Sequence, residues 1–358
     1  MKTLIEGYKS FPGEHCGSVA MRGLLNHYCG LELPEPAVFG LSAGIECVYV
    51  ESRSMTPSLS VFGRSLALEA DLGEILQVDY REQRDEDDDH AWQVVREEVL
   101  AGRPTMLSGD ILYLDYREYK VHFPGHRFVL LGFDDEIEKA FIADRIKPEP
   151  EACSYGALIK SRNPPEGLST HNLWGRFHGT EVGRSLQDAA AVAIDRAANH
   201  MLGNGDEASG DGAFFDGESR VAIGIAGIER FADELPGWVK RPDVLEVASF
   251  NASCIEKFGN GGGNFRRLYA GFLDWARELD PKLVPAAAPD LARKAADGWT
   301  ARKRVLCRNC SIRPRPRWPK SRPASDSCSR VSLVKTTSPA DQPRSSAALK
   351  PCSMAPSR

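Results

Sequence analysis

The sequence predicts an α+β fold in which an antiparallel sheet is followed by an α-helical C-terminal domain. Three patterns carry this prediction: apolar residues at helical spacing after Cys16, two apolar strands around an acidic turn after His126, and four apolar segments at helical spacing beyond residue 185. The 358-residue chain is long enough to bury more than one core. We expect a first domain at residues 1–165, a helical domain at 166–300 and a tail at 301–358.

The elements can be assigned in chain order. A helix begins near Cys16 and stops at Gly30, since glycine readily adopts the left-handed conformation that ends helices. The patterns that follow predict a short helix, a glycine loop and a strand within residues 36–50, helices at 62–72 and 91–100, and strands at 75–80 and from 105. The four later helices are expected at residues 186–202, 220–235, 244–258 and 264–279.

Composition excludes several classes of protein. Residues 301–358 carry 14 Lys and Arg against two acids, which leaves 31 basic and 48 acidic residues in the first 300. An acidic body argues against nucleic acid as a partner. No stretch approaches the ~20 apolar residues of a membrane span, and the start lacks the apolar segment of a signal peptide. We therefore expect a cytoplasmic protein with reduced thiols and no membrane partner.

The tail has a composition of its own. It holds 11 Ser and 8 Pro among 58 residues, with apolar residues too sparse to form a face, which is typical of disorder. The helical pattern that precedes it dissolves just after Trp299, so one hypothesis is that a frameshift replaced the native terminus. Cys307 and Cys310 form half of a zinc-ligand pattern without a matching second half, so no metal site is expected.

Cys16 is the candidate nucleophile. A cysteine in the first turn of a helix meets unpaired N–H groups and the positive end of the helix dipole, which stabilise the thiolate. The alternative is a buried cysteine that packs as a small apolar side chain. The choice between them depends on whether the chain also supplies a base and a group that orients it.

His126 and Asp144 can supply that pair. They lie on the two strands of the predicted hairpin, whose register brings Asp144 opposite residue 126 or within two positions of it. A carboxylate behind an imidazole fixes its tautomer and orientation, as in a catalytic triad. The order Cys16, His126, Asp144 follows that of papain-like enzymes, in which the cysteine opens a helix and the other two residues sit on neighbouring strands.

Three further residues are weaker candidates for substrate binding. Asp110 and Tyr113 follow a predicted strand and either line a site or form a structural turn. Arg266 follows the glycine run at residues 259–263, which feeds a helix N-terminus. Such a terminus can bind an anion such as a phosphate group, and the alternative is a flexible hinge that lets the helix dock.

Several stretches resemble a known family. They are His-Cys-Gly-Ser-Val-Ala-Met from His15, Val-Phe-Gly-Leu-Ser-Ala-Gly from Val38, Asp-Ile-Leu-Tyr-Leu from Asp110 and Gly-His-Arg-Phe-Val-Leu-Leu-Gly-Phe from Gly125. They look like the N-terminal domain of the butirosin biosynthesis protein H family. Residues 186–300, with Phe-Gly-Asn-Gly-Gly-Gly-Asn-Phe from Phe258, resemble the helical domain of unknown function that usually follows it.

The resemblance implies a papain-like acyltransferase of antibiotic biosynthesis. Cys16 would take an aminoacyl group from the phosphopantetheine thioester of an acyl carrier protein and pass it to a small-molecule amine, with His126 as base and then acid and Asp144 as orienter. No cofactor is bound in such a scheme. Before Cys16 the chain has Lys9, Ser10 and Glu14 instead of the glutamine usual in papain-type sites. A cysteine hydrolase or amidase with the same triad and a non-catalytic biosynthetic scaffold remain as alternatives.

Overall fold

A computed structural model describes residues 1–53, 55–120, 122–166, 169–204 and 219–311. The predicted α+β class is confirmed, and the architecture is consistent with a papain-like domain. The described elements, in order, are β1 (Lys2–Leu4), α1 (Cys16–Cys29), α2 (Glu35–Leu41), β2 (Ile45–Glu51), β3 (Leu59–Arg64), α3 (Leu68–Leu76), β4 (Tyr80–Gln83), α4 (Asp88–Leu100), β5 (Thr105–Gly109), β6 (His126–Asp134), β7 (Lys139–Ala143), β8 (Glu151–Ser154), α5 (Tyr155–Arg162), β9 (Trp174–Phe177), α6 (Leu186–Leu202), β10 (Arg220–Ile223), α7 (Gly224–Glu234), α8 (Val244–Glu256), α9 (Arg266–Leu279) and α10 (Ala288–Ser311).

The larger sheet is antiparallel, with the strand order β4-β9-β5-β6-β7-β8 and β1 paired with β6. Strand β6 is buried along its whole length and is contacted by α1 and α4. A strand buried in this way reads as a nearly continuous apolar run, which explains the sequence Phe-Val-Leu-Leu-Gly-Phe within β6. The helix that begins at Cys16 therefore packs on the strand that begins at His126.

A second sheet joins the two halves of the chain. Its order is β10-β2-β3, so a strand from the second half pairs with β2 in the first half. The predicted helix at residues 62–72 is wrong in its first part, because residues up to Arg64 form β3, which pairs with β2 and is covered by α8. The segment 220–235 likewise begins as β10 before it becomes α7.

The predicted boundary at residue 165 does not separate two cores. The described residues up to Ser311 belong to one compact unit. Phe39 of α2 and Phe272 of α9 belong to the same buried cluster, together with Ala193 of α6. The amphipathic helices of the second half thus bury their apolar faces against the first half, as such faces require.

The end of the helical segment also differs from the prediction. Helix α10 runs from Ala288 to Ser311, so eleven residues assigned to the disordered tail are helical. Leu306 is buried within this extension. The predicted disorder beyond it falls on residues 312–358, which lie outside the described residues.

Contact between α2 and α9 gives a prediction about stability. A Cβ atom on Gly40 would lie 1.8 Å from Cγ of Phe272, so Gly40→Ala is expected to lower the free energy of unfolding by about 1–3 kcal/mol. Urea denaturation measures this change. The matched control is Gly156→Ala in α5, where a Cβ meets nothing within 4 Å and alanine should stabilise the helix by up to about 1 kcal/mol. Equal destabilisation by both variants would contradict the packing described here.

Candidate active site

Cys16 is the first residue of α1, as predicted, and Gly30 ends the helix in the left-handed conformation with φ 64°. His15 caps the helix: its Nδ1 accepts a hydrogen bond from the backbone N–H of Ser18 at 3.2 Å. Since Nδ1 accepts, the neutral imidazole carries its proton on Nε2. The cysteine is thereby held at the positive end of an ordered helix.

The loop before the cysteine is fixed at several backbone atoms. The Glu35 carboxylate accepts hydrogen bonds from the backbone N–H groups of Glu14 at 3.0 Å and His15 at 2.6 Å. The N–H of Gly13 donates to the carbonyl of Arg145 at 2.8 Å. Arg145 directly follows the candidate orienting aspartate, so these bonds tie the start of α1 to the end of the predicted hairpin.

The hairpin has the register that the sequence predicts. Val129 of β6 pairs with Ala143 of β7, which places Asp144 opposite Phe128 and two positions from His126. Nε2 of His126 lies 3.1 Å from Oδ1 of Asp144, and both side chains are buried. Interaction with the Cys16 side chain also raises the pKa of this ring, and Nδ1 is the nitrogen left to face the thiol once Nε2 is engaged.

Asp144 is surrounded by donors. Its carboxylate accepts a hydrogen bond from the backbone N–H of Arg145 at 2.7 Å and from the Tyr116 hydroxyl at 3.0 Å, and Nη1 of Arg117 lies 3.5 Å away. Burial acts to raise the pKa of Asp144, but the charge and hydrogen bond of His126 outweigh it and hold the pKa well below its usual range. The carboxylate is therefore ionised at neutral pH and anchored at both oxygens.

The electrostatics of the cluster favour a thiolate–imidazolium pair. Burial acts to raise the pKa of Cys16, yet the hydrogen bond and charge of His126, the backbone N–H of Arg127 and the charge of Arg64 lower it to about 7. Burial acts to lower the pKa of His126, and Asp144 reverses this and raises it to about 10. Between these two values the thiol has given up its proton while the imidazole keeps its own.

The pKa values of the other described cysteines are raised instead of lowered. Burial raises the pKa of Cys29, raises that of Cys47 to about 11 and that of Cys153 to about 12, and raises that of Cys254 as well. Among the cysteines that the structure describes, Cys16 alone has a lowered pKa. Its environment is that of a reactive cysteine.

A buried ion pair beside the cysteine escaped the sequence analysis. Nε of Arg127 donates to Oε1 of Glu69 at 3.0 Å, and its Nη1 hydrogen-bonds the Ser108 hydroxyl. A Cβ on Gly17 would come within 2.9 Å of the same Oε1, so only glycine fits there. The pair holds the strand whose backbone N–H donates to the Cys16 sulfur. Its signal in the sequence is the arginine next to His126 in a buried strand, since a buried charge needs a charged or hydrogen-bonding partner.

Asp110 and Tyr113 form a turn in front of β6. The Asp110 carboxylate accepts hydrogen bonds from the N–H groups of Leu112 at 3.1 Å and Phe123 at 2.9 Å, and from Nδ1 of His122 at 2.7 Å. The Tyr113 ring packs against His122 with centroids 6.1 Å apart. These contacts are those of the structural alternative, and a role in substrate binding stays a prediction.

Arg266 does not lie where the sequence suggested. It is buried, its Nη1 donates to the carbonyls of Gly63 at 3.2 Å and Asn264 at 2.7 Å, and its guanidinium lies over the Trp299 ring. The reason is that Arg266 opens α9 on the side that faces β3 and α10. Arg267, which follows it, faces the glycine run instead.

The glycine run borders an open cleft of about 570 Å³ lined by Glu14, Glu256, Gly261, Gly262, Arg267 and Leu268. Nη2 of Arg267 lies 3.2 Å from Oδ1 of Asp297, which offsets the charge of the guanidinium. The two glutamates disfavour an anion in this cleft, so the described contacts do not support a phosphate site.

Two kinds of feature, metal-binding groups and membrane-spanning helices, were sought in the described residues. Within them, no group of three or more His, Cys, Asp or Glu side chains is arranged to hold a metal ion. None of the helices seen there combines the length and the apolar character needed to cross a membrane. The side chains of Cys307 and Cys310 lie outside the described part.

Comparison with known families agrees with the resemblance. Residues 15–145 match the family described as Butirosin biosynthesis protein H, N-terminal. That segment belongs to this family. Residues 167–332 match Domain of unknown function (DUF4872), which completes the expected architecture and extends beyond the predicted boundary at residue 300. No curated protein matches the chain.

The butirosin biosynthesis protein H segment contains Cys16, His126 and Asp144, close to its two ends. The match supports a role in antibiotic or other secondary metabolism, a setting associated with biosynthetic acyl transfer. The DUF4872 segment supplies α6 to α10, whose core is shared with the first segment. The described residues of the two family segments thus belong to one structural unit, which contains the candidate site.

Proposed function

We propose that the protein is a cysteine-dependent acyltransferase that moves an aminoacyl group from a carrier-protein thioester to an amine. The observation that supports it most is the buried Cys16–His126–Asp144 cluster, in which a cysteine with a lowered pKa meets an imidazole backed by an ionised carboxylate. This is the base-and-orienter arrangement that activates a nucleophile in triad enzymes.

The proposed reaction has two halves. The Cys16 thiolate attacks the thioester carbonyl, the phosphopantetheine sulfur leaves, and His126 gives it a proton. The amine then attacks the acyl-enzyme, the Cys16–acyl bond breaks, and the proton lost by the amine goes to His126 before the pair is restored. The backbone N–H of Cys16, at the start of α1, is the candidate donor to the oxyanion in both halves.

Energetics suit a thioester donor. Exchange of one thioester for another is nearly isoenergetic, so the acyl-enzyme forms reversibly, whereas attack by an amine runs downhill to an amide. Hydrolysis by the same triad is the second candidate.

Intact-mass spectrometry after exposure to a panel of aminoacyl-carrier thioesters tests the proposal. We expect an acyl adduct on the wild type and on Cys29→Ala, which removes a cysteine at the far end of the same helix, and none on Cys16→Ala. Added amines should discharge the adduct as amides. Release as free acid in the presence of amines would indicate a hydrolase, and no adduct from any donor would favour a scaffold protein.

The pKa values give a pH profile. The rate of acylation should rise as pH increases through about 7, where Cys16 loses its proton, and fall as pH increases through about 10, where His126 loses the proton it gives to the leaving thiol. Single-turnover acylation, corrected for thioester hydrolysis without enzyme, measures both limbs. An acid limb at about 8.5, the value of an unperturbed thiol, would contradict the ion pair.

A further inference from the structure

The glycine run of the second family segment is followed by Phe265, an aromatic residue that contacts the candidate site. Five consecutive residues, Gly261 to Phe265, have positive φ angles of 64°, 79°, 60°, 53° and 70°. The last is a bulky residue in the left-handed region, a conformation that persists only where the surroundings compensate for it. A Cβ on Gly263 would lie 2.5 Å from that of Ala296, so the close contact with α10 needs glycine there.

This backbone directs the Phe265 ring onto His15, the capping residue next to Cys16. The two ring centroids lie 5.2 Å apart at 88°, an edge-to-face contact. Phe265 also stacks on Phe39, 5.5 Å away, and Phe39 contacts the same side of His15 at 5.9 Å. His15 is therefore covered on one side by a stacked pair of aromatic rings, one from each family segment, and is 2% exposed.

We propose that Phe265 is a positioning residue for Cys16: stacked on Phe39, it covers one side of His15 so that the imidazole remains neutral and caps α1 through Nδ1. This inference rests on the proposed role of Cys16 as nucleophile. A protonated imidazole has N–H groups at both nitrogens and cannot accept from Ser18, so the cap requires the neutral ring. Without this cap, the first turn of α1 loses the hydrogen bond between Ser18 and His15. That bond holds the cysteine near His126 and the backbone N–H of Arg127.

The cations around His15 act in the same direction, whereas two nearby carboxylates act against it. Burial is the largest cause that lowers its pKa well below the ordinary value, followed by nearby cations. The Glu35 carboxylate binds its backbone N–H, and Glu69 approaches Gly17 on the same side as the imidazole. The cations that face His15 are Arg64 of β3, His126 and Arg127 of β6, and Arg145 after β7.

The test measures the alkylation of Cys16 by iodoacetamide between pH 5.5 and 8.5, resolved by peptide mass spectrometry. In Phe265→Ala water reaches His15, and its pKa should move toward its ordinary value of about 6.5. The ratio of the alkylation rate of this variant to that of wild type should fall about tenfold between pH 8.5 and pH 5.5, because His15 is protonated and the cap is lost. Phe272→Ala, in the same core but outside the ring contacts of His15, is the matched control and should show no such trend.

A double variant separates this role from packing alone. Asparagine caps helices but does not titrate, so Phe265→Ala with His15→Asn should recover the wild-type profile. If the loss persists in the double variant, or if alkylation at low pH becomes faster because a charged His15 favours the thiolate, the proposal is overturned. Should Phe265→Ala not fold, His15→Ala and His15→Asn give the same test: alanine should slow alkylation and asparagine should preserve it, and equal rates would contradict the cap.

These readouts do not require acyl transfer. A wild-type Cys16 that reacts no faster than Cys29 at pH 7 would count against the proposed function itself. A reactive Cys16 whose profile is unchanged by every variant would remove only the role assigned to Phe265.

Discussion

Cys16→Ala is expected to abolish acyl transfer, with a loss of at least about 10⁴-fold in kcat/KM, because no other described group can form the acyl-enzyme. The substitution removes one sulfur atom and keeps a small apolar side chain at this position, so the variant should fold like wild type. Steady-state transfer from a carrier thioester to an amine measures the change.

Cys29→Ala is the control for this variant. It removes a thiol from the last residue of the same helix, where burial raises the pKa, and should keep wild-type turnover. Transfer that survives Cys16→Ala at more than about one part in a hundred would exclude a covalent mechanism through this residue.

Asp144→Asn should reduce kcat by about 10²–10⁴-fold. The amide keeps the shape of the carboxylate but removes the charge that raises the pKa of His126. The imidazolium is then less stable, so the pKa of Cys16 should rise and the acid limb of the pH profile should move to higher pH. Stopped-flow acylation across pH measures the rate and the limb together.

Tyr116→Phe is the matched control for Asp144. It deletes one hydrogen bond to the carboxylate, from the Tyr116 hydroxyl at 3.0 Å, and leaves the charge and the bond to His126 in place. Its effect should be within about tenfold. An acid limb that stays near pH 7 in Asp144→Asn would show that the carboxylate does not control the ion pair.

Local patterns predicted the geometry around the cysteine well. The start of α1 at Cys16 and its end at Gly30 follow from apolar spacing and a glycine stop, both of which depend on neighbouring residues. The contact of His126 with Asp144 follows from hairpin register, since the turn between β6 and β7 is short. Features determined within about twenty residues were accessible to sequence reasoning.

Features that depend on partners distant in the sequence could not be predicted from the sequence. Residues 62–64 read as the start of a helix, yet pairing with β2 and cover from α8 make them a strand. Glu69 could not be matched to Arg127 because 58 residues separate them. Which of two adjacent arginines, Arg266 or Arg267, faces the core depends on the left-handed residues before them, and sequence spacing does not encode that rotation.

The shared core has a consequence for synthesis on the ribosome. Gly40 of α2 lies against Phe272 of α9, so the two touch only after another 232 residues have been added. At about 5–20 residues per second this takes roughly 10–50 s, during which the apolar face of α2 has no partner. The nascent N-terminal segment is therefore exposed to aggregation until α9 emerges, and the surroundings of the candidate nucleophile Cys16 are completed only late in translation.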